Sequence, residues 1–370
     1  MSVSAAVLRT VGGAMPVEEI ALPSTGPGLV RVRLHATGVC HSDLSLATGA
    51  LRQELPAVLG HESAGVVVEV GDGVTHVVPG DHVVLSWLPA CGECFFCTSG
   101  EPALCERAAT DADAVAPPLL GDGTAVHRGL GTAGFATETV VLARAATAIP
   151  QDVPFEVAAL LGCAVLTGVG AVLNAARVPA GASVAVVGCG GVGLSAVMGA
   201  RLAGAARIVA VDPAADKLAL AAELGATDGV LAGEGVVKDV RRLADGRGVD
   251  FAFEAVGRAS TVRDAWSMTR RGGTAVVLGV GRVDDLVSFN ALELFHQARA
   301  LVGCIYGFTD FRRDVPVLLD HWRAGRLPLE RLVTHRVALD GVGDALAAMA
   351  RGDGARTVVT FDQPNSQDER

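Results

Sequence analysis

Apolar and polar positions follow two different rhythms along the chain. Through residues 31–84, short Val-rich segments are broken by Gly and Pro, as in Val66-Val67-Val68-Glu69-Val70-Gly71, the texture of antiparallel strands and turns. From Ser183 onward the order becomes apolar strand, Gly-rich turn, Ala-rich helix and apolar strand again, which is how βαβ units of a parallel sheet read. The strands predicted there are 183–187, 207–211, 228–231, 249–253, 274–279 and 300–305. Six such strands complete a doubly wound dinucleotide domain. After residue 305 the pattern is mixed and ends in a strand at 356–361 that is free to return to the first region. The polar stretch 362–370 is expected to fray. The expected fold class is therefore α/β plus β, a mostly-β domain joined to a doubly wound parallel sheet.

At 370 residues the chain exceeds what one core usually serves, so two domains are expected. Half the residues are apolar and 19% are charged, far from the composition of disordered chains. With a net charge of −10 and no Lys/Arg stripe to neutralise successive phosphates, nucleic acid is not an expected partner. Two uncharged windows, 157–176 and 178–200, are long enough to span a bilayer, but Gly and Pro interrupt both, and the second fits strand, turn and helix better. No membrane association is expected. The N-terminus has no basic start, apolar run and cleavage site, which points to the cytoplasm. Eight cysteines in such a chain argue for metal or catalysis ahead of disulfides.

Gly188-Cys189-Gly190-Gly191-Val192-Gly193 follows the first strand of the second region and precedes a helical stretch at 194–202. That context turns a weak G-x-G-x-x-G match into a strong one: the glycines allow close backbone approach, and the helix N-terminus offers N–H groups and positive dipole to a pyrophosphate. Asp212 stands nineteen residues past Gly193, at the end of the next strand, where a carboxylate suits the ribose hydroxyls of NAD and repels the 2′-phosphate of NADP. Lys217 is placed to assist at the same ribose.

Cys91, Cys94, Cys97 and Cys105 are spaced to close a tetrahedron around a structural zinc, in a lobe at about 88–108. Cys40, His61 and Cys163 are a dispersed second set; two thiolates and one imidazole would leave a fourth zinc position open for water or substrate. Two zinc ions per subunit, one structural and one catalytic, are expected. Cys189 and Cys304 read as small core residues.

In this order, Cys40-His41-Ser42-Asp43, Gly60-His61-Glu62, the four-Cys lobe, Cys163, Gly188 to Gly193 and Asp212 resemble the zinc-containing alcohol dehydrogenases of the medium-chain dehydrogenase/reductase superfamily over nearly the whole chain. The resemblance implies a GroES-like catalytic domain at 1–164 and 306–370 around a Rossmann NAD-binding domain at 165–305. It implies that Cys40, His61 and Cys163 hold the catalytic zinc, that Asp43 fixes the tautomer of His61, and that Glu62 lies behind the metal as a transient ligand. Ser42 becomes the proton acceptor, His41 takes a slot that contacts the cofactor pyrophosphate, and Arg356 matches a pyrophosphate-binding arginine. Ser45 departs from the pattern, because many relatives carry a His there to finish the proton relay. The stretch 106–129 resembles the longer-loop members.

The resemblance also places Leu51, Trp87, Leu130, Val280 and Ile305 around the substrate oxygen, with Val280 against the cofactor too. An apolar wall of this kind favours primary aliphatic or aromatic alcohols over polyols and hydroxy acids. The alternative enzyme is a formaldehyde dehydrogenase acting on a glutathione or other thiol adduct; that branch carries acidic residues where this chain has Leu51 and Gln53. Relatives that bind nucleotide without turnover usually lack the zinc ligands present here. A homodimer or homotetramer is expected.

Overall fold

The computed structural model describes residues 2–361; the expected fraying of 362–370 lies outside them. The chain divides into two compact units, one of residues 1–163, 311–316 and 329–370, the other of 164–310 and 317–328.

The first unit is mostly β. Its larger sheet runs in the order Ala146–Ala148, His82–Leu85, Glu62–Val70, Leu29–Val39, Arg356–Thr360, Val333–Val337, with Glu138–Leu142 also paired to Leu29–Val39. The pairs Leu29–Val39 with Glu62–Val70 and Glu62–Val70 with His82–Leu85 are antiparallel, as the Val-rich segments predict. Arg356–Thr360 comes back antiparallel to Leu29–Val39, the return expected of the C-terminal strand. Val30, Val32 and Leu34 face one core with Val67, Val83 and Leu85, the alternation that a sheet buried on one face requires. The stretch 106–129 is more ordered than a loop: it contains the helix Ala108–Asp113 and the short strands Leu119–Leu120 and His127–Arg128.

The second unit is a six-stranded, fully parallel sheet in the order Asp228–Leu231, Arg207–Asp212, Ser183–Val187, Val249–Glu254, Thr269–Val277, Ala300–Gly303. This is the Rossmann order, reversing direction between Ser183–Val187 and Val249–Glu254. Helices cover the sheet, so Val184 to Val187 are all buried and the strand shows an apolar run instead of alternation. Two predicted strands need correction at their ends. The strand predicted at 274–279 begins at Thr269, where the polar run Arg270 to Gly273 hides it, and ends at Val277, because the N–H groups of Leu278 and Gly279 both turn to the carbonyl of Glu254. The strand predicted to reach 305 stops at Gly303. No helix among the described residues is long and apolar enough to cross a membrane.

Candidate active site

Strand register gathers the dispersed cysteines and histidine. Gly38 pairs with Glu62 across the two antiparallel strands, so Cys40 just beyond one strand and His61 just before the other emerge at the same end. Thr357 pairs with Val39 on the other side, which brings Arg356 to that end too, and Cys163 arrives just after the helix Phe155–Leu160. The Cys40 and Cys163 sulfurs, a His61 ring nitrogen and a Glu62 carboxylate oxygen all lie within 4.8 Å of one another, in buried surroundings.

Asp43 organises this cluster. As the third residue of the helix His41–Ala47 it accepts the N–H of Cys40 at 3.0 Å, a capping arrangement, while its other oxygen accepts the N–H of Gly60 and faces Nδ1 of His61, each at 3.0 Å. A carboxylate only accepts, so Nδ1 carries the proton and Nε2 presents its lone pair. That Nε2 is buried without a hydrogen-bond partner, a costly state that a metal ion relieves. The hydrogen bond between the two cysteine side chains leads the effects that hold the Cys40 thiol well below its usual range and push Cys163 up. Burial pushes Glu62 up to about 8 against the pull of Arg356, whose Nη2 lies 3.4 Å away. The donor set and the orphaned imidazole nitrogen fit zinc.

The second cluster is Cys91, Cys94, Cys97 and Cys105, with sulfur atoms again within 4.8 Å of one another. Backbone N–H groups point at the sulfurs: Cys94 N to Cys91 Sγ at 3.3 Å and Cys91 N to Cys105 Sγ at 3.3 Å. Hydrogen bonds from the backbone hold Cys94 down at about 6, while burial pushes Cys97 up to about 12. Four thiolates with no open place fit a structural zinc.

In the second unit the Gly-rich turn has the shape a pyrophosphate needs. A Cβ on Gly193 would sit 1.7 Å from the Gly188 carbonyl oxygen, whereas one on Gly190 would meet nothing within 4 Å, so the turn is closed on the protein side and open on the other. The helix begins at Gly191, earlier than the predicted 194, which puts Gly191, Val192 and Gly193 in its first turn, where the N–H groups are unpaired by the helix. Asp212, 5% exposed, accepts Cys189 N at 2.8 Å and Ala214 N at 2.9 Å. Lys217 is half-buried and near enough to act on the charge of Cys189. Cys189 and Cys304 are buried, and burial pushes each thiol up to about 12, in keeping with core roles.

The chain matches the alcohol dehydrogenase GroES-like domain over residues 26–151 and the zinc-binding dehydrogenase domain over 191–321. It is 35% identical to the S-(hydroxymethyl)glutathione dehydrogenase of Paracoccus denitrificans, covering 98% of this chain and all of that protein. The chain belongs to the zinc-dependent alcohol dehydrogenases. Solved structures agree: an alcohol dehydrogenase zinc-binding domain protein from Burkholderia ambifaria superposes with a TM-score of 0.92 at 34% identity, and the benzyl alcohol dehydrogenase of Acinetobacter calcoaceticus with 0.90 at 29%. Each of the two covers 98% of this chain and all of the other. The enzyme is thus an NAD-linked, zinc-dependent oxidoreductase with a GroES-like domain and a Rossmann domain.

The predicted pocket residues of this dehydrogenase are spread over both units. Trp87 lies edge-on to the His61 ring, with centroids 6.4 Å apart. Leu51 and Leu130 are partly buried against a core that includes Val39, Leu46 and Phe135. Val280 and Ile305 belong to the second unit and are 53% and 42% exposed. Ser42 is half-buried and His41 exposed, on adjacent positions of one helix. Arg356 is buried in the first unit and donates to the Val39 carbonyl at 2.7 Å.

Sequence reasoning missed three supports. A Cβ on Gly38 would fall 2.2 Å from Glu62 Oε2, so only glycine leaves room for that carboxylate. Thr132 donates to the Gly60 carbonyl at 2.8 Å and so anchors the turn before His61. Arg128 donates to the carbonyls of Ala112, Val115 and Ala116, tying the end of helix Ala108–Asp113 to the segment carrying Leu130. A Gly next to a strand end, a Thr and an Arg carry no spacing signal that would single them out.

Proposed function

We propose that this dehydrogenase oxidises primary aliphatic or aromatic alcohols to aldehydes with NAD, reversibly, at the Cys40–His61–Cys163 site. The observation that carries the reading is the buried, partnerless Nε2 of His61 amid two cysteine sulfurs, with the Trp87 ring edge beside it. When bound, zinc supplies a Lewis acid and NAD the hydride acceptor. Cys40, His61 and Cys163 hold the metal, Asp43 orients His61, and Glu62 stands by as a transient ligand braced by Arg356. Ser42 accepts the alcohol proton at its Oγ, and water finishes the transfer because Ser45 has no imidazole. Gly188, Gly190, Gly191, Val192 and Gly193 receive the pyrophosphate, while Asp212 and Lys217 meet the adenosine ribose. Leu51, Trp87 and Leu130 supply the apolar wall on the catalytic unit, and Val280 and Ile305 are the apolar candidates on the cofactor unit. The catalytic domain is assigned to 1–164 and 306–370 and the cofactor domain to 165–305; in the structure 164, 306–310 and 317–328 group with the second unit.

The relative at 35% identity acts, by its name, on S-(hydroxymethyl)glutathione, which supports thiol-adduct formaldehyde oxidation as the second reading. Steady-state kinetics separate the two. Hexanol and benzyl alcohol should be oxidised with higher efficiency than formaldehyde mixed with glutathione; the reverse order overturns the first reading.

The eight free cysteines suit a reducing cytoplasm. A homo-oligomer is supported by the sheet edge Ala300–Gly303, where Leu301 is 43% exposed, and by nearby Leu286 and Phe295 at 80% and 78%, because apolar edges of this kind are normally covered. Native mass spectrometry should return a dimer or tetramer; a monomer would refute this.

A further inference from the structure

Glu254 closes the strand Val249–Glu254 at the point where the sheet order reverses, the crevice where doubly wound sheets bind ligands. Its side chain is fully buried. One oxygen, Oε1, accepts the N–H groups of Val256 and Gly257 and the hydroxyl of Thr261, all at 2.8 Å. Among the described residues Oε2 has no hydrogen-bond partner. A carboxyl group is thus spent on folding one short turn, residues 255–257, back over the end of its own strand.

That turn is wedged between two others. On one side the Ala255 N–H donates to the Val187 carbonyl at 2.8 Å, and a Cβ on Gly188 would meet Val256 Cγ2 at 2.7 Å, so the turn presses on the start of the Gly-rich loop. On the other side Gly257, at φ +82°, lies against Val280: a Cβ there would sit 2.6 Å from the Val280 carbonyl oxygen. A Cβ on Gly279 would in turn fall 2.1 Å from Gly257 N. The ends of three neighbouring strands are interlocked, and the middle one is held by Glu254.

We propose that Glu254 is a positioning residue for the nicotinamide cofactor, fixing the turn 255–257 so that the Gly188 loop and the Gly279–Val280 segment keep the spacing the dinucleotide needs. The inference rests on the NAD reading above. Burial pushes the Glu254 carboxyl above its usual range, with the Thr261 hydroxyl and the backbone N–H groups opposing, so a neutral amide oxygen is a fair stand-in for Oε1.

The test uses the full-length, zinc-loaded enzyme and three variants: Glu254→Ala, Glu254→Gln and Thr261→Val. NADH dissociation is measured by fluorescence titration, alongside KM for NAD, KM for benzyl alcohol, kcat and the melting temperature. Loss of three hydrogen bonds to one buried group should weaken NADH binding and raise KM for NAD by about tenfold or more in Glu254→Ala, with kcat at saturating NAD and KM for alcohol nearly unchanged. Glu254→Gln should stay within about threefold of the parent, because its amide oxygen still accepts. NADH affinity unaltered in Glu254→Ala, or a kcat loss without a change in KM for NAD, overturns the proposal. If Glu254→Ala does not fold, Thr261→Val decides: NADH binding two- to threefold weaker supports the role and unaltered binding refutes it. A parent enzyme that binds NADPH and ignores NADH would sink the NAD reading alone, and the same variants are then judged by NADPH affinity.

Discussion

Nδ1 of His61 lies 3.0 Å from Oδ1 of Asp43, and this one contact decides which face of the imidazole is offered to a metal. The same carboxylate holds the N–H groups of Gly60 and Cys40, so Asp43 fixes the His61 ring, the backbone just before it and the backbone of Cys40. Asp43→Asn keeps the volume but gives the ring an amide that can donate, which frees the wrong tautomer. Zinc affinity and turnover should both drop by about 10- to 100-fold, the range found for lost carboxylate support of a metal-bound His. Competition with a chelator measures it, and unchanged zinc retention would show that Asp43 does not set the ring.

The two cysteine clusters predict separable losses. Cys163→Ala opens the buried set and should abolish turnover with little change in melting temperature. Cys97→Ala removes one of four ligands from the closed set and should lower the melting temperature and promote aggregation, since structural zinc contributes folding energy outright. Metal analysis of the active parent should give two zinc ions per subunit; one ion or none in fully active protein would contradict the assignment.

Much of this arrangement was readable from the sequence, and the reason is physical. The four-Cys lobe is local, so spacing alone carries it, and the strand Ser183–Val187 with its glycines is a contiguous pattern. Cys40, His61 and Cys163 are far apart in the chain, and only the register of Gly38 against Glu62 brings the first two together, which no periodicity reveals. Strand ends are not legible in the sequence where a backbone group leaves the ladder for another partner, as Leu278 and Gly279 do at Glu254. The buried pairing of Arg356 with Glu62 was invisible for the same reason, since it depends on the last strand returning beside Val39.

Asp212 should govern cofactor choice. A 2′-phosphate brought to this carboxylate meets like charge, so catalytic efficiency with NAD should exceed that with NADP by at least about 10²-fold. Asp212→Gly should narrow the gap and also weaken NAD binding, because Cys189 N and Ala214 N lose their acceptor. Parallel titrations with both cofactors test this; equal efficiency in the parent would overturn it.

Ser42 is expected to matter for proton transfer alone. Ser42→Ala should reduce turnover by about 10² or more while zinc content and NADH affinity stay at the parental level, the magnitude typical of a lost general base. Near-normal turnover would mean that the proton leaves by another route.

Trp87 bears on substrate size. Its ring stands edge-on to His61 at 6.4 Å, close enough to limit what can reach that imidazole from its side, and it is only partly buried. Replacing it with Ala removes a large apolar surface and leaves space that a bigger alcohol can fill, while a small alcohol loses contact. Each methylene the small substrate no longer buries costs about 0.8 kcal/mol, so efficiency for ethanol-sized alcohols should fall about three- to tenfold. Branched or bicyclic aromatic alcohols should gain over benzyl alcohol in the same variant. The comparison is made as ratios of kcat/KM, which cancels any change in the amount of active enzyme. Equal losses across all sizes would place Trp87 outside the pocket, and a parent more efficient with sorbitol or a hydroxy acid than with hexanol would remove the apolar wall from the explanation altogether.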